Sequence, residues 1–315
     1  MLFKKFWLKL LMTFPLPGYF MLDHFAAKDL EEAVKRAEKF TGDGHKVTLA
    51  YLGKEKPRDC RNISNFTVFW KELKELKVSV DMALKLSMLG AFWRSDIGRG
   101  PTWNANSFFT LKHFFPKVPK NVFVWVDAEE LKFRERTWEE FAWVWDNGKR
   151  KNIGIAVQAY AKDSYEFLRD KIIPLGVPVR LCKGAYNESE NLVYKDKQKI
   201  RVQFLYLLEK LLQSSCDKIQ IATHDDFVIE TSLNILEKRN LSFQGEVEFG
   251  FLMGRNINNL VALIKETGNY PINIYIPFGP YRKDYGARRI IEDPNNLLIG
   301  FDVLFKHHRY MPFGM

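Results

Sequence analysis

The fold is decided by residues 218–252, which read KIQIATHDDFVIETSLNILEKRNLSFQGEVEFGFL. Two short apolar runs, Lys218–Ala222 and Glu246–Leu252, flank an amphipathic segment at Phe227–Lys238. Short apolar runs of this kind are typical of parallel strands that are buried on both faces, and a helix usually connects two such strands. These residues therefore predict a strand, a helix and a second strand parallel to the first.

The same alternation extends along the chain in both directions from this unit. The other predicted strands are Lys46–Leu52, Val78–Met88, Asn121–Val126, Asn152–Ala159, Pro178–Leu181 and Ile272–Phe278. Further amphipathic helices are predicted at Trp138–Lys149, Asp163–Lys171 and Lys195–Gln213. Eight such units in about 250 residues predict an α/β fold, a (βα)8 barrel at 46–315 with an N-terminal helical extension at 1–45. An open doubly wound sheet is the alternative, but no Gly-x-Gly-x-x-Gly turn follows an early strand.

The composition is that of an ordinary globular protein, with 46% hydrophobic and 27% charged residues. The cysteines, Cys60, Cys182 and Cys216, are odd in number and form no Cys-x-x-Cys pair. This usage argues against a disulfide framework and a zinc site, and it suits a reducing cytoplasm. No His, Asp and Glu cluster has metal-ligand spacing, so no metal is expected. The net charge of +10 suits an anionic partner, but no basic run with interleaved aromatic residues predicts nucleic-acid binding.

The first 22 residues have the pattern of a basic amphipathic helix. Phe, Trp and Leu side chains share one face of this helix, and Lys4, Lys5 and Lys9 share the other. Lys9 interrupts the apolar run and Pro15 ends it, so the segment is too short to cross a bilayer. Such a helix either lies on an anionic membrane surface or packs against the body of the protein. The expected location is the cytoplasm, with peripheral association at the inner face of the membrane as the open alternative.

Polar residues stand at the ends of nearly all the predicted strands. In order they are Lys85, Asp127, Gln158, Arg180 with Lys183 and Tyr186, His224, Glu248 and Tyr275. Active residues of a (βα)8 barrel lie at the C-terminal ends of its strands, and buried polar groups cost free energy unless they are paired. The pattern therefore predicts a polar site at the barrel mouth. Cations and aromatic residues dominate it, which suits an anionic substrate and an anionic cofactor better than hydrolysis.

The stretch that follows the last predicted strand adds a fork of positive charge. Two adjacent arginines, Arg288 and Arg289, offer paired donors in fixed planes, which suits a carboxylate or a phosphate. Tyr275 and Tyr285 add flat walls with polar tips. Together these residues predict a site for a small anionic molecule with an apolar body.

Six segments in order give the chain a resemblance to proline dehydrogenase, in its short monofunctional form. They are Ala83–Ser87 with Leu89 and Gly90, Val126–Glu130, Val157–Tyr160, Arg180–Tyr186, Ala222–His224 and Tyr275–Arg289. Members of this family fold as (βα)8 barrels and use FAD to oxidise L-proline, so the resemblance implies both the fold and the cofactor. It further implies oxidation to Δ1-pyrroline-5-carboxylate, a membrane quinone as electron acceptor, and a separate pyrroline-5-carboxylate dehydrogenase as pathway partner.

The resemblance also implies the roles of individual residues. At the substrate it implies Lys85, Arg288 and Arg289 for the carboxylate, Leu252, Tyr275 and Tyr285 for the ring, and Asp127 to orient its neighbours. Around FAD it implies that Arg180 lies near the reactive nitrogen of the flavin and that Gln158 bonds the pyrimidine edge of the flavin ring. The rest of the FAD molecule would be held by Lys183, Gly184, Ala185, Tyr186, Thr223, His224 and Glu292. Two alternatives stay open, namely oxidation of another cyclic amino acid such as hydroxyproline, and a flavin-free scaffold on a membrane surface.

Several positions depart from the family pattern. Asn187 stands where Trp is usual, Gly250 where Gln is expected, and Asp225 where Asn is expected. Arg201 and Phe204 stand where the family often has Asp and Tyr. We expect all five to touch cofactor positions and to alter flavin affinity, with Asp225 adding a negative charge.

Overall fold

A computed structural model describes residues 25–53, 79–89, 115–147, 151–238, 243–283 and 285–286. Its strands are β1 Lys46–Tyr51, β2 Asp81–Leu84, β3 Val124–Val126, β4 Ile153–Gln158, β5 Val179–Cys182, β6 Lys218–Ala222, β7 Glu246–Leu252 and β8 Ile272–Phe278. They pair in parallel and in chain order, and β8 pairs with β1 to close the barrel. This closure confirms the predicted (βα)8 barrel, and the open doubly wound sheet is wrong.

The predicted strand limits are right where a turn or a polar residue ends the apolar run. The limits of β6, β7 and β8 agree with the prediction at both ends. In contrast, β2 ends at Leu84, because the next apolar residues, Leu86–Leu89, form a 3-10 turn. An apolar run alone does not distinguish these two conformations, since both bury their side chains.

Six α-helices are described around the strands. They are α1 Leu30–Gly42, α2 Arg134–Asn147, α3 Ser164–Phe167, α4 Lys197–Leu212, α5 Asp226–Lys238 and α6 Asn258–Thr267. The helix predicted at Asp163–Lys171 is α-helical only in α3, and a π turn and a 3-10 turn follow it up to Leu175. Pro174 has no N–H to continue the regular ladder of hydrogen bonds, which accounts for the irregular end. None of the described helices is long and apolar enough to span a membrane.

Helix α1 lies within the predicted N-terminal extension and packs on the barrel. Asp29 caps it, because its carboxylate accepts a hydrogen bond from the backbone N–H of Glu32 at 3.0 Å. Ala33, Ala37 and Phe40 are buried, and the helix contacts β1 and β8. The predicted membrane-surface helix and Cys60 lie outside the described residues.

Buried polar and charged side chains lie on the strands beside a small apolar cluster of Ala50, Ala83 and Trp125, and the main hydrophobic core is a separate cluster. Glu248, which the sequence places at the barrel mouth, is fully buried in the middle of β7, where it pairs in register with Gln220 of β6. That prediction is wrong because β7 runs on to Leu252, so its C-terminal end lies four residues beyond Glu248. The charge of Glu248 is therefore available to groups inside the barrel rather than to a ligand at the mouth.

Candidate functional site

Asp127 joins two other predicted site residues at the barrel mouth. It directly follows β3, and its carboxylate accepts a hydrogen bond from Nη1 of Arg180 at 2.7 Å. Its second oxygen accepts a hydrogen bond from the Tyr275 hydroxyl, also at 2.7 Å. The ion pair is largely enclosed, since the side chains of Arg180 and Asp127 are 6% and 15% exposed. Strands β3, β5 and β8 thus bring a cation, an anion and a phenol together.

Arg180 is held by aromatic rings as well as by hydrogen bonds. Its guanidinium carbon lies 4.7 Å from the ring centre of Trp125 and 5.3 Å from that of Tyr275. Nε donates to Oε1 of Gln220. Nη2 is buried and has no hydrogen-bond partner within the described part of the chain. The arrangement fixes the plane of the guanidinium and leaves one of its donors for another acceptor.

Tyr275 is a neutral phenol in this site. Burial, together with the nearby Asp127 carboxylate and Tyr285, raises the pKa of Tyr275 well above its ordinary value. The hydroxyl therefore keeps its proton across the physiological range and acts as the donor to Asp127. Its ring is uncharged, and its role as a wall of the substrate site stays a prediction.

Lys85 adds a second cation beside an aromatic ring. Its Nζ lies 5.8 Å from the ring centre of Tyr186. Burial would lower the pKa of Lys85, but interactions with Tyr186, Glu129 and Asp127 outweigh it and raise that pKa. Burial also raises the pKa of Tyr186. Lys85 therefore stays charged and offers a cation to an anionic ligand.

Gln158, at the end of β4, is oriented by the loop after β3. Its side-chain nitrogen donates to the backbone oxygen of Glu129 at 2.9 Å. The Glu129 carboxylate in turn accepts from the backbone N–H of Ser87 at 3.1 Å. This bond uses a donor of the Gln158 amide and leaves its oxygen as an acceptor. Glu129 is a supporting residue that the sequence reading passed over, although it lies inside the quoted motif Val126–Glu130.

His224, just after β6, is a neutral imidazole. Its Nε2 accepts a hydrogen bond from the backbone N–H of Leu252 at 2.9 Å. Burial, with a smaller contribution from Arg255, lowers the pKa of His224 to about 3. Nδ1 therefore carries the proton, yet this atom is buried without a hydrogen-bond partner in the described structure. His224 thus offers one unused donor.

The Asp225 carboxylate is held between two cations. It binds Lys183, and it accepts from Nε of Arg201 at 2.8 Å. Burial would raise the pKa of Asp225, but Arg201 and Lys183 outweigh it and lower that pKa. The expected negative charge is therefore present and already paired. Arg201 and Asp225 both depart from the family pattern, and the positive charge of the first offsets the negative charge of the second.

The loop after β5 requires glycine at position 184. Gly184 has φ of +104°, and a Cβ there would lie 2.3 Å from a ring atom of Tyr160. The neighbouring Ala185 is exposed, and Thr223 on the next strand end is buried. The Thr223 hydroxyl accepts from the backbone N–H of Asp225 at 3.2 Å. The close approach of Gly184 to Tyr160 shapes this side of the mouth.

The other departures have different structural consequences. Asn187 is exposed, and its side-chain oxygen accepts from Lys195 at 3.3 Å. Phe204 is fully buried in the hydrophobic core, so the expectation that it touches the cofactor is wrong. It lies on the inner face of α4, where Phe adds packing and has no accessible surface for a ligand. Gly250 leaves room for the side chain of Gln220, which lies against it.

Three predicted site residues, Arg288, Arg289 and Glu292, lie outside the described residues, so the arginine fork stays a prediction. Tyr285 is described, and its backbone N–H donates to the carbonyl of Tyr281 at 3.1 Å. Gln220, which contacts Arg180 directly, was not predicted as a site residue. Its signal was a polar side chain in the middle of the run Lys218–Ala222.

Proteins of known function match most of the chain. The family model for Proline dehydrogenase matches residues 31–297. Proline dehydrogenase 1 of Bacillus subtilis is 26% identical over 284 residues, which cover 86% of this chain and 86% of that protein. Proline dehydrogenase of Deinococcus radiodurans is 22% identical over 277 residues, covering 86% of this chain and 85% of that protein.

Solved structures share the fold. Proline utilization A from Corynebacterium freiburgense matches with a TM-score of 0.69 at 16% identity, over 98% of this chain and 35% of that one. A proline utilization A with proline bound in remote sites matches with a TM-score of 0.67 at 21% identity, over 88% of this chain and 31% of that one. The chain thus spans only a minor part of these larger proteins. The family match, in contrast, contains all eight strands of the barrel, and the chain belongs to the proline dehydrogenase family.

Proposed function

We propose that this chain oxidises L-proline to Δ1-pyrroline-5-carboxylate with FAD as cofactor, and that a membrane quinone takes up the electrons. The observation that carries the proposal is the Asp127 carboxylate, which holds Arg180 and Tyr275 at the barrel mouth. A buried arginine with a spare donor beside a neutral phenol suits a flavin edge on one side and a small amino acid on the other.

The buried donors of the site fit a flavin. Nη2 of Arg180 and Nδ1 of His224 are buried without partners among the described residues, and such groups cost free energy unless a ligand or water supplies an acceptor. The isoalloxazine ring offers ring nitrogens and carbonyl oxygens as acceptors, and the Gln158 amide oxygen would accept from its N–H. Lys183, Gly184, Ala185, Tyr186 and Thr223, with Glu292 by prediction, would hold the remainder of the molecule. When bound, FAD supplies the two-electron acceptance that these side chains lack.

The protein's own residues bind, orient and supply charge. Lys85 would offset the proline carboxylate together with Arg288 and Arg289, which are assigned by prediction. Leu252, Tyr275 and Tyr285 would enclose the pyrrolidine ring. Asp127 keeps Arg180 from rotating, so with FAD bound Arg180 would offer a fixed positive charge to the flavin and would favour its reduced form. Preorganisation of this kind avoids a reorganisation cost at the moment of reaction.

The hydrogen bonding of Tyr275 leaves hydroxyproline as the second candidate. Its hydroxyl donates to Asp127 at 2.7 Å, so toward a ring hydroxyl only its oxygen is left, as an acceptor. A pocket cannot strongly reject a substrate that merely adds a hydroxyl. L-proline is the first candidate because of the family to which the chain belongs. The scaffold alternative is disfavoured because a scaffold has no need of a buried cation with an unused donor.

The cellular setting belongs to the same proposal. The net charge of +10 and the basic amphipathic pattern of residues 1–22 suit peripheral contact with an anionic membrane, where a quinone is dissolved. We place the protein in the cytoplasm or at the inner face of the membrane, with residues 1–45 as an extension of the catalytic barrel. A separate pyrroline-5-carboxylate dehydrogenase would consume the product.

Anaerobic spectroscopy tests the proposal directly. The purified chain is incubated with FAD, freed of unbound FAD, and mixed with excess L-proline without oxygen. Loss of the flavin absorbance in the visible blue is the expected result. Flavin that hydroxyproline bleaches and proline does not would transfer the assignment to the second candidate. A chain that retains no flavin after incubation would contradict the proposed cofactor.

A further inference from the structure

We infer that Gln220 and Glu248 are positioning residues, which together set the orientation of Arg180 from inside the barrel. Neither lies at the mouth. No role for Gln220 followed from the sequence, which wrongly predicted Glu248 at the mouth. The consequence for turnover rests on the proposed function, whereas the consequence for the arginine itself does not.

A continuous hydrogen-bonded path connects the three side chains. Nε of Arg180 donates to Oε1 of Gln220, and Nε2 of Gln220 donates to Oε1 of Glu248 at 2.5 Å. All three residues are buried, with exposed fractions of 5%, 2% and 0% in that order. Water therefore does not compete for these bonds, and each group depends on the next one.

Cations and an amide hold the Glu248 carboxylate from the other side. Nζ of Lys218 lies 2.8 Å from its Oε2, and Nζ of Lys46 lies 3.4 Å away. The side-chain nitrogen of Asn273 donates to Oε1 at 3.3 Å. Residues from β1, β6 and β8 thus surround the carboxylate with donors, and toward Gln220 it acts as an acceptor.

The Glu248 carboxylate sets the orientation of the Gln220 amide. A glutamine amide has a donor side and an acceptor side. Because Glu248 is an acceptor, the NH2 group of Gln220 faces it, and the oxygen of Gln220 is left to face Arg180. The guanidinium is then bound at Nε by Gln220 and at Nη1 by Asp127. Its Nη2 group is the donor that remains.

Gly250 provides the space that Gln220 needs. A Cβ at position 250 would lie 3.0 Å from Cδ and 3.1 Å from Oε1 of Gln220. These distances are too short for an unstrained contact, so any side chain at position 250 would push against the amide. The glycine that departs from the family pattern is thus part of the same arrangement, and Gly250→Ala perturbs it without removing a polar group.

The test compares Gln220→Met with a matched control, Glu246→Gln. Glu246 is on the same strand as Glu248 and pairs with the same lysines, Lys46 and Lys218, but it has no described bond to Gln220. The first readout is the Nε–H signal of Arg180 in a 1H–15N spectrum of the full-length chain incubated with FAD. Arg180→Lys identifies that signal by its loss. The second readout is the rate of flavin bleaching at saturating L-proline, together with the KM for proline.

We expect Gln220→Met to remove the protection of the Arg180 Nε–H from exchange with water. We also expect it to slow bleaching by about tenfold to a hundredfold through misplacement of the cation, with little change in KM. Glu246→Gln should leave both readouts as in the wild type. Gly250→Ala should shift the same signal and slow bleaching, and it serves as the deciding variant if Gln220→Met does not fold.

Opposite results would overturn the inference. An unchanged Arg180 signal and an unchanged bleaching rate in a folded Gln220→Met or Gly250→Ala protein would do so, as would equal effects in the Glu246→Gln control. Wild-type flavin that proline does not bleach would instead count against the proposed function. In that case the Arg180 signal alone would decide the inference.

Discussion

The Asp127–Arg180 pair gives the most direct prediction of stability. Asp127→Ala removes the partner of a cation that is only 6% exposed, and it removes the acceptor of the Tyr275 hydroxyl. Loss of one member of a buried ion pair costs about 3–5 kcal/mol, because the other charge stays buried and unpaired. Since Arg180 retains its bond to Gln220, we expect a fall in the free energy of unfolding of about 3–4 kcal/mol.

Chemical denaturation of the full-length chain measures this loss, and two further variants calibrate it. Asp127→Asn keeps one oxygen acceptor, so we expect a smaller loss of about 1.5–2.5 kcal/mol. Asp163→Ala breaks a surface ion pair with Arg134, in which the Asp163 side chain is 58% exposed. Surface pairs are worth about 0–1 kcal/mol. Equal losses for Asp127→Ala and Asp163→Ala would refute the claim that enclosure makes the first pair strong.

Three other predictions concern the cofactor side of the mouth. Gly184→Ala places a Cβ at a residue with positive φ, and this Cβ would lie 2.3 Å from a ring atom of Tyr160. We expect the free energy of unfolding to fall by at least about 2 kcal/mol, as measured by chemical denaturation. We also expect weaker FAD binding, as measured by flavin fluorescence. His224→Gln retains an acceptor for the Leu252 N–H. The pKa of His224 is lowered to about 3 in the folded chain, so the unfolded chain binds the proton first as the pH falls below about 6.5, and stability falls with it. The variant should flatten this slope between about pH 6 and 4, and an unchanged slope would contradict the burial of a neutral imidazole. For Asp225, whose pKa is lowered, the stabilisation is present above its unfolded value near 3.9 and is lost as the pH falls further. Asp225→Asn should therefore weaken stability at pH 7 and remove that acid dependence, as followed by thermal unfolding.

Much of the barrel was predictable from local patterns. The limits of β6, β7 and β8 agree with the prediction, because their Val, Ile, Leu and Phe residues suit buried parallel strands and polar or glycine-containing stretches follow the ends of the runs. The short 3-10 turn at Leu86–Leu89 was not predictable, since its apolar residues suit a strand equally well, and the π turn at Leu168–Ile172 was not predictable because its amphipathic pattern is that of a regular helix. The position of Asp127 directly after β3 agrees with the prediction. Arg180 is the second of the four residues of β5 and Tyr275 the fourth of the seven of β8, so the prediction that both stand at strand ends is wrong.

The contacts between side chains on different strands could not be predicted from the sequence. Nothing in the spacing of Glu248, Gln220 and Arg180 indicates that they form one path, because they are brought together by the register of β5, β6 and β7. The pairing of Asp225 with Arg201 likewise depends on how α4 lies beside the end of β6.

Sequence by itself therefore determined the fold class and the family, because these depend on local hydrophobic pattern and on motifs of adjacent residues. The set of residues that bind a ligand at the barrel mouth stays a prediction. Only the tertiary structure decided that the Asp225 charge is neutralised, that Phe204 is core, and that Glu248 lies inside the barrel. The physical reason is that burial and charge pairing depend on distances between residues remote in the chain, and those distances arise when the sheet closes.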